Sequence, residues 1–526
     1  MKRDKNVIFM IVVVLAGVLL MTYCDGGKGE GEVPGSPSIN LYYVANREVG
    51  IIWDVVDNAE SYNLYWNNTG GVSTSDNSIT NLHSSYVGII YNHSSLSLFK
   101  TYYYMVTAVN TAGESPPSNE LSVVPVSVPQ EYQKIISSDY ADMDYFGFST
   151  SMSGENIIVG APNKDDGGSD SGAAYVFIRY EEEFYWGELK KITASDAQAG
   201  DEFGTSVAIS GDYAIVGAHY QDSGGSDRGA AYIFNKDLGG TENWGELKKL
   251  TASSAQDLDE FGTSVAISGD CAIVGAQYED SGGTSSGAAY VFYRDQGGAD
   301  NWGQVVKLTA SDAAVGDLFG RSVAISGDYA VVGAYSEDGA GTDSGAAYVF
   351  YRDQGGADNW GQVVKLTASD AEAGDEFGSS VAIDGDYVVS GAIGEDSGGT
   401  DRGAAYIFYR NQGGTDNWGE VLKLTASDPE DQDAFGGSVA IDGEFVVVGA
   451  FYEDGDEKNN RGAAYIYGRN SGGQDVWGQV IKILASDAGD GDNFGFSVAI
   501  EGNFVVIAVP YEETEGNTDR GAVYIF

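Results

Sequence analysis

The chain has 526 residues, room for more than one domain, and sets 28 Lys and Arg against 78 Asp and Glu, a formal net charge of −50. That balance argues against a nucleic-acid partner, which needs a basic face, and against direct adhesion to an anionic bilayer. With three histidines and two cysteines there is no His/Cys metal cluster, no nucleophile elbow, and no phosphate-binding Gly loop before a helix, so the sequence reads as a non-enzyme.

The front of the chain reads as an export segment. Basic Met1 to Lys5 precedes an apolar run from Val7 to Met21, short for a transmembrane helix, and Cys24 follows. The placement of Cys24 resembles a bacterial lipoprotein, although Tyr23 stands where that pattern has a small residue. Residues 1–24 are thus expected to direct export, with Cys24 as the lipidation site. Any membrane attachment would run through this lipid or anchor. A Gly-rich flexible linker, 25–35, comes next.

Residues 36–127 have another texture, with many Tyr and Ser. Ile51 to Val55 and Ser61 to Trp66 read as consecutive strands. The run from Thr101 to Asn110 alternates, which puts Tyr102, Tyr104, Val106 and Ala108 on one face. Trp53 in an early strand and Tyr-x-Tyr-x-Val-x-Ala-x-Asn near the end resemble a fibronectin type III sandwich. The resemblance implies Tyr102 as the tyrosine corner. Val124 to Pro129 then forms a short, stiff linker.

From residue 130 onward one unit recurs. Phe-Gly falls at Phe146, Phe203, Phe261, Phe319, Phe377, Phe435 and Phe494, in steps of 57 to 59 residues. Each unit holds four short β-branched and aromatic runs, punctuated by Gly, Asp and Ser, and none shows helical periodicity. Seven four-stranded units predict a seven-bladed β-propeller. The seventh copy ends at Phe526 without its fourth strand, and the missing strand stands before the first copy, around Lys134 to Asp139. The N-terminal strand is therefore expected to complete the last blade and close the ring. Trp186, Trp244, Trp302, Trp360, Trp418 and Trp477 recur in nearly every unit and read as packing between blades. Cys271 takes a slot that Tyr or Phe fills elsewhere and reads as core.

The Phe-Gly and Gly-Ala pairs resemble the FG-GAP repeat of integrin α-subunits and, more closely, bacterial FG-GAP repeat proteins. The integrin-type calcium loop does not carry over, because Ser210 to Asp212 is too short to wrap the ion.

Strand order puts the 4–1 and 2–3 loops on one face, and both are acidic. The 4–1 loops carry pairs such as Asp196 and Asp201, or Asp428 and Asp433. The 2–3 loops carry Asp222 and Asp227, Asp338 and Asp343, Asp396 and Asp401, and Asp454 and Asp456. Unpaired carboxylates crowded together would repel one another. Two readings stand: the six 2–3 aspartates from Asp222 to Asp401 hold Ca2+, or they are ordinary turn formers. Just after Gly-Ala the blades differ: His219, Tyr220, Tyr278, Tyr335, Phe451, Tyr452 and Tyr511 begin the 2–3 loops and are the candidate ligand-binding residues. In the integrin family this is the face that meets ligand. The leading reading is an exported envelope or surface protein that binds a protein or carbohydrate ligand there. The alternative is a structural envelope scaffold. Binding predicts that the blade-specific residues share one concave patch, and a scaffold predicts that they scatter.

Overall fold

In the computed structural model, residues 32–526 are described except 46–47, 83–88, 95, 97–99, 124–130, 181–184, 223, 397, 455–458, 474–475 and 514–517. The expected export segment with Cys24, most of the 25–35 linker, the 124–129 linker, His83 and Asp456 lie outside the described residues. Among the described residues every regular element is a strand, and no helix is long and apolar enough to cross a membrane.

The unit from Phe261 shows why the sequence folds as it does. Its strands are Val265–Ser268, Cys271–Ala276, Ala288–Tyr293 and Gly303–Leu308, hydrogen-bonded in that order as an antiparallel sheet. The two middle strands are apolar on both faces because both are covered, whereas the fourth is half-exposed along most of its length. Blades I to VI span 149–192, 206–250, 265–308, 322–366, 377–424 and 435–483. Blade VII combines Val498–Glu501, Phe504–Val509 and Ala522–Ile525 with Gln133–Ile135 from the front of the chain. Ile135 pairs with Val523 and Gln133 with Ile525, so the predicted closing strand is in place.

The core is not one mass but seven seams. Each joins neighbouring blades, and the seam of Ile135, Val523 and Trp186 joins blade VII to blade I. The recurrent tryptophans sit in these seams. Trp302 packs on Tyr213 of the preceding blade at 5.4 Å, Trp418 on Tyr329 at 5.4 Å, and Trp186 on Phe504 at 5.8 Å. Burial of each such ring contributes roughly 3–5 kcal/mol.

The Phe-Gly and Gly-Ala pairs meet across the same seams. A Cβ on Gly275 would stand 2.0 Å from the Gly320 carbonyl oxygen of the next blade. Gly287, at φ +81°, bridges Phe319 in parallel and leaves no room for a side chain. The repeated motif is therefore a backbone-to-backbone joint. Cys271 is buried in the seam between blades III and IV, as expected, with its thiol pushed up to about 12 by burial.

Ahead of the ring, Ile39–Ala45, Glu48–Trp53 and Ile89–Ser94 form one sheet. Asn77–Leu82, Ser61–Asn67, Tyr102–Asn110 and Gly113–Glu114 form the other, with Leu121–Val123 on Tyr102–Asn110. Trp53, Tyr62, Tyr102, Tyr104, Val106 and Ala108 share the core between them, the last four as the alternation predicts. Tyr102 packs its ring on Trp66 at 5.8 Å. Ser122 Oγ donates to the Asn470 carbonyl in blade VI at 3.1 Å.

Candidate functional site

The expected crowd of unpaired carboxylates in the 4–1 loops is overturned. The first aspartate of each pair is held by a lysine from the fourth strand, an element not weighed against the loops in sequence. In blade IV, Lys365 Nζ lies 2.8 Å from Asp312 Oδ2 and 2.7 Å from Glu337 Oε1. Tyr348 donates its hydroxyl to Asp312 at 2.9 Å, and the ammonium lies 5.6 Å from the centre of the same ring. Lys423 and Lys482 repeat the arrangement, and Lys134 of the closing strand makes it with Asp487 and Glu512. Lys191 contacts both Asp139 and Asp166. In blade III the aspartate is replaced by Ser254, and Lys307 pairs with buried Glu279 and donates to the Ser281 hydroxyl. The second aspartate is buried and accepts a backbone N–H, as Asp201 does from Gln198 at 2.8 Å.

The 2–3 loop aspartates are built into turns. Asp222, Asp338 and Asp396 accept the backbone N–H of Asp227, Asp343 and Asp401 at 3.0, 2.9 and 2.9 Å. The second member of each pair has a positive φ of 50° to 54°. Among the described residues no three His, Cys, Asp or Glu side chains gather as a metal-holding set.

The blade-specific residues converge. His219, Tyr220, Tyr278, Tyr335, Phe451 and Tyr452 all line one depression of about 880 Å³ that draws on blades I to VII. Tyr511 adjoins it, 5.9 Å from the ring of Phe496. Two further ring positions contribute, and sequence reasoning missed both. The residue before Phe-Gly supplies Glu202, Glu260 and Glu376; the residue after it supplies Phe148, Thr205, Thr263, Arg321, Ser379 and Phe496. Like the residues after Gly-Ala, these vary from copy to copy while the pair beside them does not. Lining up the copies by their flanks would have found them.

The funnel has two unlike halves. Blades VI, VII and I supply an aromatic wall: Phe451 to Phe496 at 5.5 Å, Phe496 to Phe148 at 5.1 Å, and Tyr511 to Tyr145 at 5.2 Å. Blades II to V supply the charge. Burial pushes the Glu202 carboxyl up to about 7, with the charges of Asp170 and Glu260 adding to it. Burial also raises Glu260 and Glu376, against the opposing charge of Arg321. The His219 ring lies against Tyr220, centroids 3.8 Å apart and planes tilted by 40°, and burial, then Arg321, pushes it down to about 4, so it is neutral at pH 7. Its Nε2 lies 3.7 Å from Glu202 Oε2, beyond hydrogen-bond reach. At neutral pH this half can exchange a proton at Glu202 and attract cations.

Seven four-stranded sheets closed by an N-terminal strand define a seven-bladed β-propeller. The FG-GAP repeat model matches residues 129–177, 186–234, 244–292, 302–350, 360–408, 418–467 and 477–526. The chain belongs to the FG-GAP repeat family. A Kelch domain-containing protein of Saccharolobus solfataricus is 33% identical over 110 residues, which are 21% of this chain and 14% of that protein's length. Among solved structures, the Pseudomonas aeruginosa periplasmic gluconolactonase PpgL shows 13% identity over 74% of this chain and 93% of its own, with a TM-score of 0.44. Saccharomyces cerevisiae Sqt1 shows 9% identity over 75% and 99%, with a TM-score of 0.40. An Fn3-like protein from Clostridium thermocellum shows 23% identity over 18% and 90%, with a TM-score of 0.14.

Proposed function

We propose that this protein is an exported, non-catalytic binding module of the cell envelope or surface. A fibronectin type III-like spacer carries the propeller, and the ligand, a protein or carbohydrate, enters the central funnel. One observation carries the reading: six blade-specific residues picked from the sequence as ligand-binding candidates line a single depression. A scaffold has no need to focus its variable positions in this way. The non-catalytic part rests on His219, which among the described residues has no hydrogen-bonded base or nucleophile to work with. Export rests on the basic and apolar start of the chain ahead of Cys24.

The test is to probe arrayed glycans and peptides with the full chain and with a Phe451→Ala/Phe496→Ala variant. Retention on a subset of spots, lost in the variant while its melting temperature stays within a few degrees, is the expected result. Retention nowhere, or equal retention by both proteins, would overturn the reading.

Calcium is not needed for this function. Because the 2–3 loop aspartates are engaged in their own turns, adding millimolar calcium or a chelator is expected to shift the melting temperature by less than about 1 °C. A saturable calcium-dependent rise would restore the metal reading of Asp222, Asp227, Asp338, Asp343, Asp396 and Asp401.

A further inference from the structure

We propose that the central funnel receives an amino sugar, with the primary ammonium group seated beside Glu202 and Glu260 and the sugar ring against the Phe451 and Phe496 wall. The inference rests on the reading of the funnel as a binding site and specifies the chemistry of its ligand.

The funnel asks for hydrogen-bond donors. Its small hydroxyls turn their protons inward: Thr205 donates to the Glu202 carbonyl at 2.9 Å, Thr263 to that of Glu260 at 2.8 Å, and Ser379 to that of Gly391 at 3.3 Å. The Gln277 amide donates to Glu260 Oε2 at 2.9 Å. The three hydroxyls leave only lone pairs for a ligand, and Gln277 leaves its amide oxygen and one N–H. The His219 side chain is nine-tenths buried, lines the funnel and makes no hydrogen bond among the described residues, its Nδ1 included. A buried polar group left in this state is costly and marks a place that a partner can satisfy.

The charge asks for a cation, and asks most strongly at one spot. Arg321 acts on Glu260 and Glu376, whereas the charged neighbours that act on Glu202, namely Asp170 and Glu260, are both acidic. Glu202 lies 30% exposed at the funnel surface, open to a ligand. Tyr220 lines the same depression as Glu202 and Glu260, and its hydroxyl feels both carboxylates. A compact ammonium with three N–H donors suits several carboxylate acceptors better than a planar guanidinium, which prefers one bidentate partner. The net charge of −50 draws such a ligand in and repels acidic sugars.

The opposite wall asks for an apolar surface. Phe148, Phe451 and Phe496 are joined through centroid distances of 5.1 and 5.5 Å with their planes tilted by 51° and 55°, a faceted aromatic panel. A pyranose offers a C–H face to such a panel while its hydroxyls supply further donors, and a volume of about 880 Å³ holds more than one ring.

The experiment is calorimetric titration of the full chain at pH 7, where the weakly basic sugar amines still carry protons, with the glucosamine trimer, its fully N-acetylated counterpart and cadaverine. Expected is saturable binding of the glucosamine trimer, at least tenfold weaker binding of the acetylated trimer and of cadaverine, and loss of the preference in Glu202→Gln/Glu260→Gln. Both substitutions are isosteric, and a melting temperature that is unchanged or raised confirms the fold. Phe451→Ala should weaken both trimers alike. Equal binding of the two trimers, lost in Phe451→Ala, would sink the amine assignment and leave the funnel standing as a sugar site. Cadaverine binding as tightly as the glucosamine trimer would sink the sugar assignment. No heat from any of the three would overturn the proposal, and the array experiment then decides whether the funnel binds anything.

Discussion

Acidifying the protein from pH 7.5 to about pH 5 is expected to raise its melting temperature, by roughly 5 °C or more. The cause is a ring of seven buried loop carboxylates: Asp144, Asp201, Asp259, Asp317, Asp375, Asp433 and Asp492. Each accepts the N–H of the residue three before it, which fixes the turn into the first strand of the blade. Burial nevertheless raises all seven, and takes Asp433 and Asp492 to about 6. The folded protein therefore holds these protons more tightly than the unfolded chain does. Their contribution is complete below the ordinary aspartate value of 3.8 and is lost as pH rises through the folded values. Asp433 and Asp492 are worth about 2–3 kcal/mol each across that window.

The lysine-held aspartates work in the opposite sense. Burial acts to raise Asp312, Asp370 and Asp487, but hydrogen bonds from lysine and tyrosine outweigh it and hold them below the usual range. Their stabilisation is lost only as pH falls through those lowered values. Between the two sets lies an optimum near pH 4–5, on the acid side of neutrality. Calorimetric melts at fixed ionic strength check this, and a melting temperature that falls steadily from pH 7.5 to 5 would contradict it.

Removing the closing strand is the second large effect. A chain that begins at residue 137 loses Gln133–Ile135. It thereby uncovers the edge of Ala522–Ile525 and opens the seam between blades VII and I. Expected is a fall in melting temperature of at least 10 °C, with concentration-dependent oligomers formed through the exposed edge. A milder variant separates pairing from packing. Lys134→Met keeps the strand but removes the ammonium 2.6 Å from Glu512, which is 3% exposed and retains Arg520 as a partner at 3.2 Å. A loss of about 3 kcal/mol in urea unfolding is expected, because a buried carboxylate is left with half its compensation. Normal stability in both variants would mean that the ring does not depend on its seal.

The fold was legible because seven copies of one unit average out local ambiguity. The four runs expected in each unit fold as four strands, as in the copy from Phe261. The fate of the carboxylates was not legible from the loops alone. Lys365 is distant from Glu337 in sequence, and only the sheet order brings both to the same loop end. The funnel was half legible. Variation after Gly-Ala pointed to His219 and Phe451, but the invariance of Phe-Gly masked the variation at its flanks. Glu202, Glu260 and Arg321 were therefore overlooked, although they set the electrostatics of the site.

The most direct test of the account is to block one face at a time. In a Cys24→Ser background, Tyr278→Cys places a thiol in the funnel, and Asp328→Cys places one on a 1–2 turn at the opposite end of the blades. Buried Cys271, with its thiol pushed up to about 12, stays unreactive. After labelling with a bulky maleimide, the arrayed glycans and peptides are probed again. The account predicts that the funnel label abolishes retention and that the opposite label leaves it unchanged. Retention that survives the funnel label, or that is lost with the opposite one, would place the binding surface elsewhere.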